Sequence, residues 1–272
     1  MKSYNTNDIF DLTDKVVLVT GACGGLGRHY CFELACRGAT LCITDRYQDD
    51  LLKLQVELAK ISSLPHLAVS CDLTKENDVA TIFSSIKRTL KRLDGVLNNA
   101  AATSELLMSE GNSFADFENY PLSLWEQVIQ VNLTGSFLVA RGAGKLLQES
   151  GTGSLVNVSS IYGIRGPDHS IYQGMDFSSF ASYSASKSGL HGLTLWLATY
   201  WASKGVRVNT LVPGGVENNH DPVFVSRYSR RSPMKRMGTP RDMLGAAVFL
   251  LSDASAYVTG QQIIVDGGLS CW

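Results

Sequence analysis

The run Lys15-Val16-Val17-Leu18-Val19-Thr20-Gly21-Ala22-Cys23-Gly24-Gly25-Leu26-Gly27 constrains this chain more than any other stretch. Its first half is short, apolar and β-branched, the composition of a strand buried on both faces of a parallel sheet. A glycine-rich turn follows, then a helical pattern from Arg28 to Cys36. Strand, glycine turn and helix in that order aim backbone N–H groups and the positive end of a helix at one point, where a dinucleotide pyrophosphate can rest. Gly21 is expected to permit the tight turn, Gly25 to let backbone approach the phosphates and Gly27 to let the helix pack on the strand. Cys23, Gly24 and Leu26 complete the loop. The spacing is Thr-Gly-x-x-x-Gly-x-Gly, not the commoner Gly-x-Gly-x-x-Gly.

Strand and helix patterns alternate from there onward. Strands are expected at 39–44, 66–71, 95–98, 154–158, 206–211 and 262–265, and helices at 50–61, 76–91, 122–148, 182–203 and 240–251. This alternation predicts an α/β fold: a single-domain Rossmann-like doubly wound parallel sheet flanked by helices, spanning 1–272. Apolar content of 44% and charged content of 18% suit a packed globule. The net charge of −1 gives no general attraction for polyanions, and no basic stripe carries interleaved aromatics, so no nucleic-acid partner is expected. No run of about twenty apolar residues predicts a membrane span. The polar extension 1–13 lacks an apolar signal core, so a cytoplasmic location is expected. The six cysteines show no Cys-x-x-Cys spacing and read as reduced thiols; no cluster has metal-ligand spacing.

The second strand ends at Asp45, eighteen residues after Gly27. A carboxylate there can accept from both ribose hydroxyls and repels a 2′-phosphate, which favours NAD. Arg46 follows and could hold that phosphate, so NADP stays open.

Tyr183 and Lys187 stand four residues apart and share one face of the helix predicted over 182–203. A phenol titrates near ~10 and is a poor proton carrier at neutral pH. An ammonium beside it favours the phenolate, and the pair can then exchange a proton with a substrate oxygen.

Together these residues resemble the short-chain dehydrogenase/reductase family from about Asp14 to Gly268. Thr20 to Gly27 matches its cofactor loop, and Asp72-Leu73 its pair beside the adenine. Asn98-Asn99-Ala100-Ala101 is similar to its Asn-Asn-Ala-Gly motif, with Ala101 in place of glycine. Asn132, Ser160, Tyr183 and Lys187 match its active-site asparagine, serine, tyrosine and lysine. Pro213, Gly214 and Val216 fall in its segment passing the nicotinamide. The resemblance implies a small-molecule oxidoreductase that interconverts a secondary alcohol and a ketone with NAD(P). It also implies a dimer or tetramer, with Trp272 expected near a subunit interface. In the implied chemistry Tyr183 moves the proton, Ser160 holds the substrate oxygen, Lys187 holds the nicotinamide ribose, and Asn132 holds a water linking Lys187 to solvent.

Two segments exceed the family's usual length. One, between Ala101 and Pro121, carries Glu105, Glu110, Asp116 and Glu118; the other, between Ser160 and Tyr183, has twenty-two residues and carries His169 and Tyr172. Tyr172 lies twelve residues after Ser160, near the family spacing, but Asp176 stands where its lysine would be. That favours Tyr183 as the acid–base residue. The segment 221–236 occupies the position of the family's substrate lid and holds Arg227, Arg230, Arg231, Lys235 and Arg236. These could grip a carboxylate or phosphate, or form a solvated helix face. Ser160-Ile161-Tyr162-Gly163 followed by Pro167-Asp168 resembles members acting on sugars and sugar acids; 3-oxoacyl carriers and steroid-like ketones are the alternatives. A nucleotide-sensing binding protein on the same fold is the non-enzymatic alternative.

Overall fold

The computed structural model describes residues 8–109, 111 and 116–272. Its centre is β1 (Val16–Thr20), in which every residue is buried. Val17 and Val19 enter one hydrophobic core, while Val16 and Leu18 enter a second on the opposite face. A strand that is apolar on both sides must lie inside a sheet covered by helices on both faces. Truncating Leu18 to Ala costs about 2–5 kcal/mol, the lost transfer free energy plus a term for the cavity left behind.

The other strands are β2 (Thr40–Asp45), β3 (Leu67–Ser70), β4 (Gly95–Asn98), β5 (Gly153–Val158), β6 (Val206–Pro213) and β7 (Gln262–Val265). All are parallel, in the order β3-β2-β1-β4-β5-β6-β7. The order reverses between β1 and β4, so their carboxyl ends flank a crevice, the usual ligand position in such sheets. The helices are α1 (Gly25–Cys36), α2 (Gln48–Ile61), α3 (Glu76–Thr89), α4 (Ser104–Ser109), α5 (Leu122–Ile129), α6 (Gly135–Ser150), α7 (Ala181–Trp201), α8 (Pro222–Arg231) and α9 (Pro240–Leu251).

Two features depart from the sequence expectation, and a third settles a point it left open. The helix expected over 122–148 is broken by a π turn at Gln130–Thr134, between α5 and α6. The first long loop contains α4, a helix too short for periodicity to reveal. The segment 221–236 contains a helix, α8, started by the Asp221 side chain, which accepts from the Val223 amide at 2.7 Å, with Pro222 in the first turn. Among the described residues, no helix is long and apolar enough to cross a membrane.

Candidate active site

A cavity of about 670 Å³ runs along the carboxyl ends of the strands. At one end it is lined by Gly21, Cys23, Gly24, Gly25, Leu26 and Gly27, and beside them by Asp45, Arg46, Asp72 and Leu73. Asn99, Ala100 and Ala101 come from the end of β4, and Pro213, Gly214 and Val216 from the end of β6.

Gly21 has φ +61°, and a Cβ there would fall 2.7 Å from the Ala100 Cα. Glycine is required on both counts. A Cβ on Gly27 would run into the Gly21 carbonyl oxygen, so Gly27 serves the closure of the turn on itself, not the packing of helix on strand. Gly25 has open space where its side chain would be. Asn99 locks the turn, its amide donating to the carbonyls of Thr20 and Gly21 at 3.1 Å each. In return the Thr20 hydroxyl accepts from the amides of Asn99 and Ala100. Asp45 accepts from the Cys23 amide at 3.0 Å and from the Arg46 amide at 2.8 Å. The Arg46 guanidinium lies over the Tyr47 ring. Burial, with the Asp45 charge second, pushes the Cys23 thiol up to about 11, so it is not a reactive thiolate. The turn, the open helix terminus and the carboxylate at the end of β2 together suit a dinucleotide.

Ser160, Tyr183 and Lys187 line the middle of the same cavity. Tyr183 stands in the first turn of α7, and the Lys187 Nζ sits 5.7 Å from its ring centroid. Lys187 is buried, and its ammonium donates to the Val158 carbonyl at 2.8 Å. Burial lowers the Lys187 pKa to about 7. The two adjacent serines differ in environment. Ser159 donates to the Lys187 carbonyl at 2.8 Å, so its oxygen accepts from His191 Nε2 at 3.0 Å. Ser160 accepts only from the Tyr162 amide, at 3.2 Å, among the contacts described. Asn132 is fully buried in the π turn. Its side chain accepts from the Ala102 amide at 2.7 Å and donates to Ser186 at 3.0 Å. It is not on the cavity wall; it joins the end of β4 to α7.

The far end of the cavity is aromatic. Tyr162, Tyr172, Phe177, Phe180, Phe224 and Tyr228 line it, interspersed with Ser179, Glu217, Asn218 and His220. Tyr172, Phe177, Phe224 and His220 form one contiguous ring cluster with centroid separations of 5.2–5.9 Å. Sequence patterns did not single out Phe177, Phe224 or Tyr228; Phe177 lies on a loop with no period, whereas Phe224 and Tyr228 stand at i and i+4 on α8, a spacing that marks its buried face.

The basic side chains of the 221–236 segment do not line the cavity. Arg227 donates to the carbonyls of Ile171 and Gln173, and Arg231 pairs with Asp168 at 3.1 Å. Arg236 pairs with Asp242, and Lys235 donates to the Arg230 carbonyl. None of these, nor Arg230, lines the cavity. Of the two readings left open by the sequence, the grip on a substrate anion is not what Arg227 and Arg231 make; they clamp the 161–181 segment. His169, Asp116 and Glu118 are exposed and also off the cavity; Glu110 and the Glu105 side chain lie outside the described residues. Trp272 is 67% exposed, and its indole donates to the Arg231 carbonyl at 2.9 Å.

Comparison with known proteins agrees with this geometry. The family described as Enoyl-(Acyl carrier protein) reductase matches residues 21–270. The 3-oxoacyl-acyl-carrier-protein reductase FabG of Aquifex aeolicus (strain VF5) is 31% identical over 262 residues, covering 95% of this chain and 98% of that protein. Glucose 1-dehydrogenase of Gluconobacter oxydans (strain 621H) is 31% identical over 264 residues, covering 95% and 92%. A crystal structure from Beutenbergia cavernae, described as a candidate NAD(P)-dependent gluconate 5-dehydrogenase with bound NADP at low occupancy, superposes with a TM-score of 0.83 at 32% identity, covering 97% of this chain and 100% of that one. The chain belongs to the short-chain dehydrogenase/reductase family, and it is an NAD(P)-dependent oxidoreductase acting on alcohol and keto groups.

Proposed function

We propose that this enzyme interconverts a secondary alcohol and a ketone on a polyhydroxylated, ring-shaped substrate. The observation that carries the reading is one cavity holding Ser160, Tyr183 and Lys187 between a glycine turn suited to a dinucleotide and an aromatic chamber with polar groups among its rings. A sugar ring matches such a wall: its C–H faces lie against Phe177 and Phe224, and its hydroxyls meet Ser179, Glu217, Asn218 and His220. Since Arg227 and Arg231 are engaged by the 161–181 segment and no lid arginine lines the cavity, the reading favours a neutral substrate over a sugar acid.

In the oxidative direction Tyr183 takes the hydroxyl proton of the substrate. Ser160 donates to the substrate oxygen and fixes its position. Lys187 would hold the ribose and, while protonated, supplies the cation that favours the Tyr183 phenolate. Asn132 acts indirectly: its bonds to Ala102 and Ser186 keep the end of β4 and α7 in register beneath the site. Bound NAD(P) supplies the hydride acceptor, or the donor in reverse. Gly21 to Gly27, Asp72, Leu73, Asn99 to Ala101, Pro213, Gly214 and Val216 would hold it, with Asp45 favouring NAD. The 161–181 segment and the 221–236 lid serve as the substrate end of one domain. Leu195, Trp196 and Tyr200 are exposed on α7, which supports a homo-oligomer, either dimer or tetramer. The six free cysteines support a cytoplasmic setting.

The test is a panel of sugars, sugar acids, ring alcohols and lipid-like alcohols with NAD+ and NADP+, followed at the absorbance of the reduced nicotinamide. Neutral sugars or cyclic polyols should give the highest kcat/KM. Preference for open-chain lipid-like alcohols would overturn the substrate class, and tight cofactor binding without turnover of any alcohol or ketone would favour a nucleotide-sensing role.

A further inference from the structure

Tyr172 is the second tyrosine near the serine, and the proposed chemistry leaves it unused. It lines the active-site cavity, as does Tyr162, and the two hydroxyls meet at 2.7 Å. Burial raises the pKa of both phenols, so both stay neutral at physiological pH and serve as hydrogen-bonding groups, not proton carriers.

Two phenolic hydroxyls carry two hydrogens, and their mutual bond uses one. Among the described residues neither hydroxyl has another protein partner within bonding distance. The pair therefore keeps one O–H donor at the cavity wall. A buried donor that loses its partner costs more than the bond itself is worth, so such a group selects for ligands that satisfy it.

The surrounding structure holds the pair in place. Tyr172 packs against Phe177 and Phe224, with centroids 5.9 and 5.4 Å away. Arg227 of α8 donates to the carbonyls on either side of Tyr172, those of Ile171 and Gln173. Tyr162 is tied to the reacting end, because its amide donates to Ser160 Oγ. A chain of contacts thus runs from the lid, through Tyr172 and Tyr162, to the serine.

We propose that the Tyr162–Tyr172 hydroxyl pair is a substrate-recognition site that donates a hydrogen bond to a second oxygen of the substrate, distinct from the oxygen that reacts. The substrate class is thereby a ring bearing at least two oxygens, a cyclic diol or hydroxyketone. The inference rests on the secondary-alcohol reading above.

The experiment measures kcat and KM with NAD+ for cyclohexanol and for cyclohexane-1,2-, 1,3- and 1,4-diol, in the wild type, Tyr172→Phe and Tyr162→Phe. NAD+ affinity is measured separately by fluorescence as a check on folding. The wild type should prefer at least one diol over cyclohexanol by about tenfold or more. Tyr172→Phe should lower kcat/KM for that diol by about 10- to 100-fold, mainly through KM, and change cyclohexanol less than about threefold. Tyr162→Phe should act in the same direction. Equal losses on diol and cyclohexanol, no loss on either, or no diol preference in the wild type would overturn the proposal while leaving the secondary-alcohol reading intact. A wild type that binds NAD+ but oxidises none of these alcohols, nor any alcohol of the wider panel, would remove both.

Discussion

The Ser159 hydroxyl donates to the carbonyl oxygen of Lys187 across 2.8 Å, tying the end of β5 to α7. That bond, with His191 on its other side, commits the Ser159 hydroxyl to the scaffold; both serines line the cavity, and Ser160 is the one whose hydroxyl proton is left for a substrate. Ser160→Ala is therefore expected to lower kcat by about 10²- to 10³-fold with little change in thermal stability. Ser159→Ala should instead lower the melting temperature, since it strips a buried imidazole and a carbonyl of a partner, at a cost of about 1–3 kcal/mol. Steady-state rates and melting curves on both variants check the assignment; the reverse pattern would exchange the two serines.

Tyr183→Phe should remove about 10²- to 10⁴-fold of turnover and leave NAD(H) binding near normal, because the phenol acts on the substrate proton. Single-turnover rates and cofactor fluorescence separate the two effects. A variant that kept most of its turnover would move acid–base chemistry elsewhere.

Asp45→Ala should improve use of NADP(H) relative to NAD(H), because it removes a carboxylate that repels the 2′-phosphate. It should also weaken both cofactors somewhat, since Asp45 holds the Cys23 amide of the glycine turn. Titration of both cofactors into wild type and variant reads the ratio; a wild type with tighter NADP(H) would promote Arg46 instead.

Lys187 has a pKa of about 7 in the folded chain, lowered by burial, against an unfolded value near ~10.4. Between those values the unfolded chain holds the proton that the folded chain has released. The contribution of this group to stability is therefore least favourable below pH 7, rises with pH through the window and levels off above about 10. The slope is at most about 1.4 kcal/mol per pH unit. Denaturant melts of cofactor-free protein from pH 6 to 10 should show this rise, and Lys187→Met should flatten it. Identical slopes in the two proteins would assign the pH dependence to other groups.

Arg231→Gln should act on both acidic and neutral substrates alike, because Arg231 pairs with Asp168 on the 161–181 segment and not with a cavity ligand. KM values for a sugar and its sugar acid should rise together, by severalfold. A penalty confined to the acid would restore the lid as an anion grip.

Much of this molecule was legible in its sequence where the signal is local. The glycine turn, the strand before it and the Tyr183–Lys187 pair each need only a few consecutive residues, and the turn and the pair line the cavity. Helix α9 and strands β4 and β7 fall at the expected residues because their apolar runs are bounded by clear turn signals. What stayed hidden depends on partners far away in sequence. Arg227 looks like a substrate ligand until α8 docks and its guanidinium finds the carbonyls of Ile171 and Gln173. The π turn that directs the Asn132 side chain to Ala102 and Ser186 is likewise set by distant partners. A π turn changes the helical repeat over too few residues for periodicity to register.

The position of β1 between β2 and β4 has a consequence for how the chain folds as it is synthesised. β1 and β2 can pair early, but β4 meets β1 only after nearly eighty further residues, with Leu18 opposite Val96. Until β5 arrives, the far edge of β4 is an open row of backbone donors and acceptors on an apolar strand, a template for pairing with another chain. The nascent protein therefore passes through a stage of exposed parallel edges, late long-range closure and a need for protection from self-association.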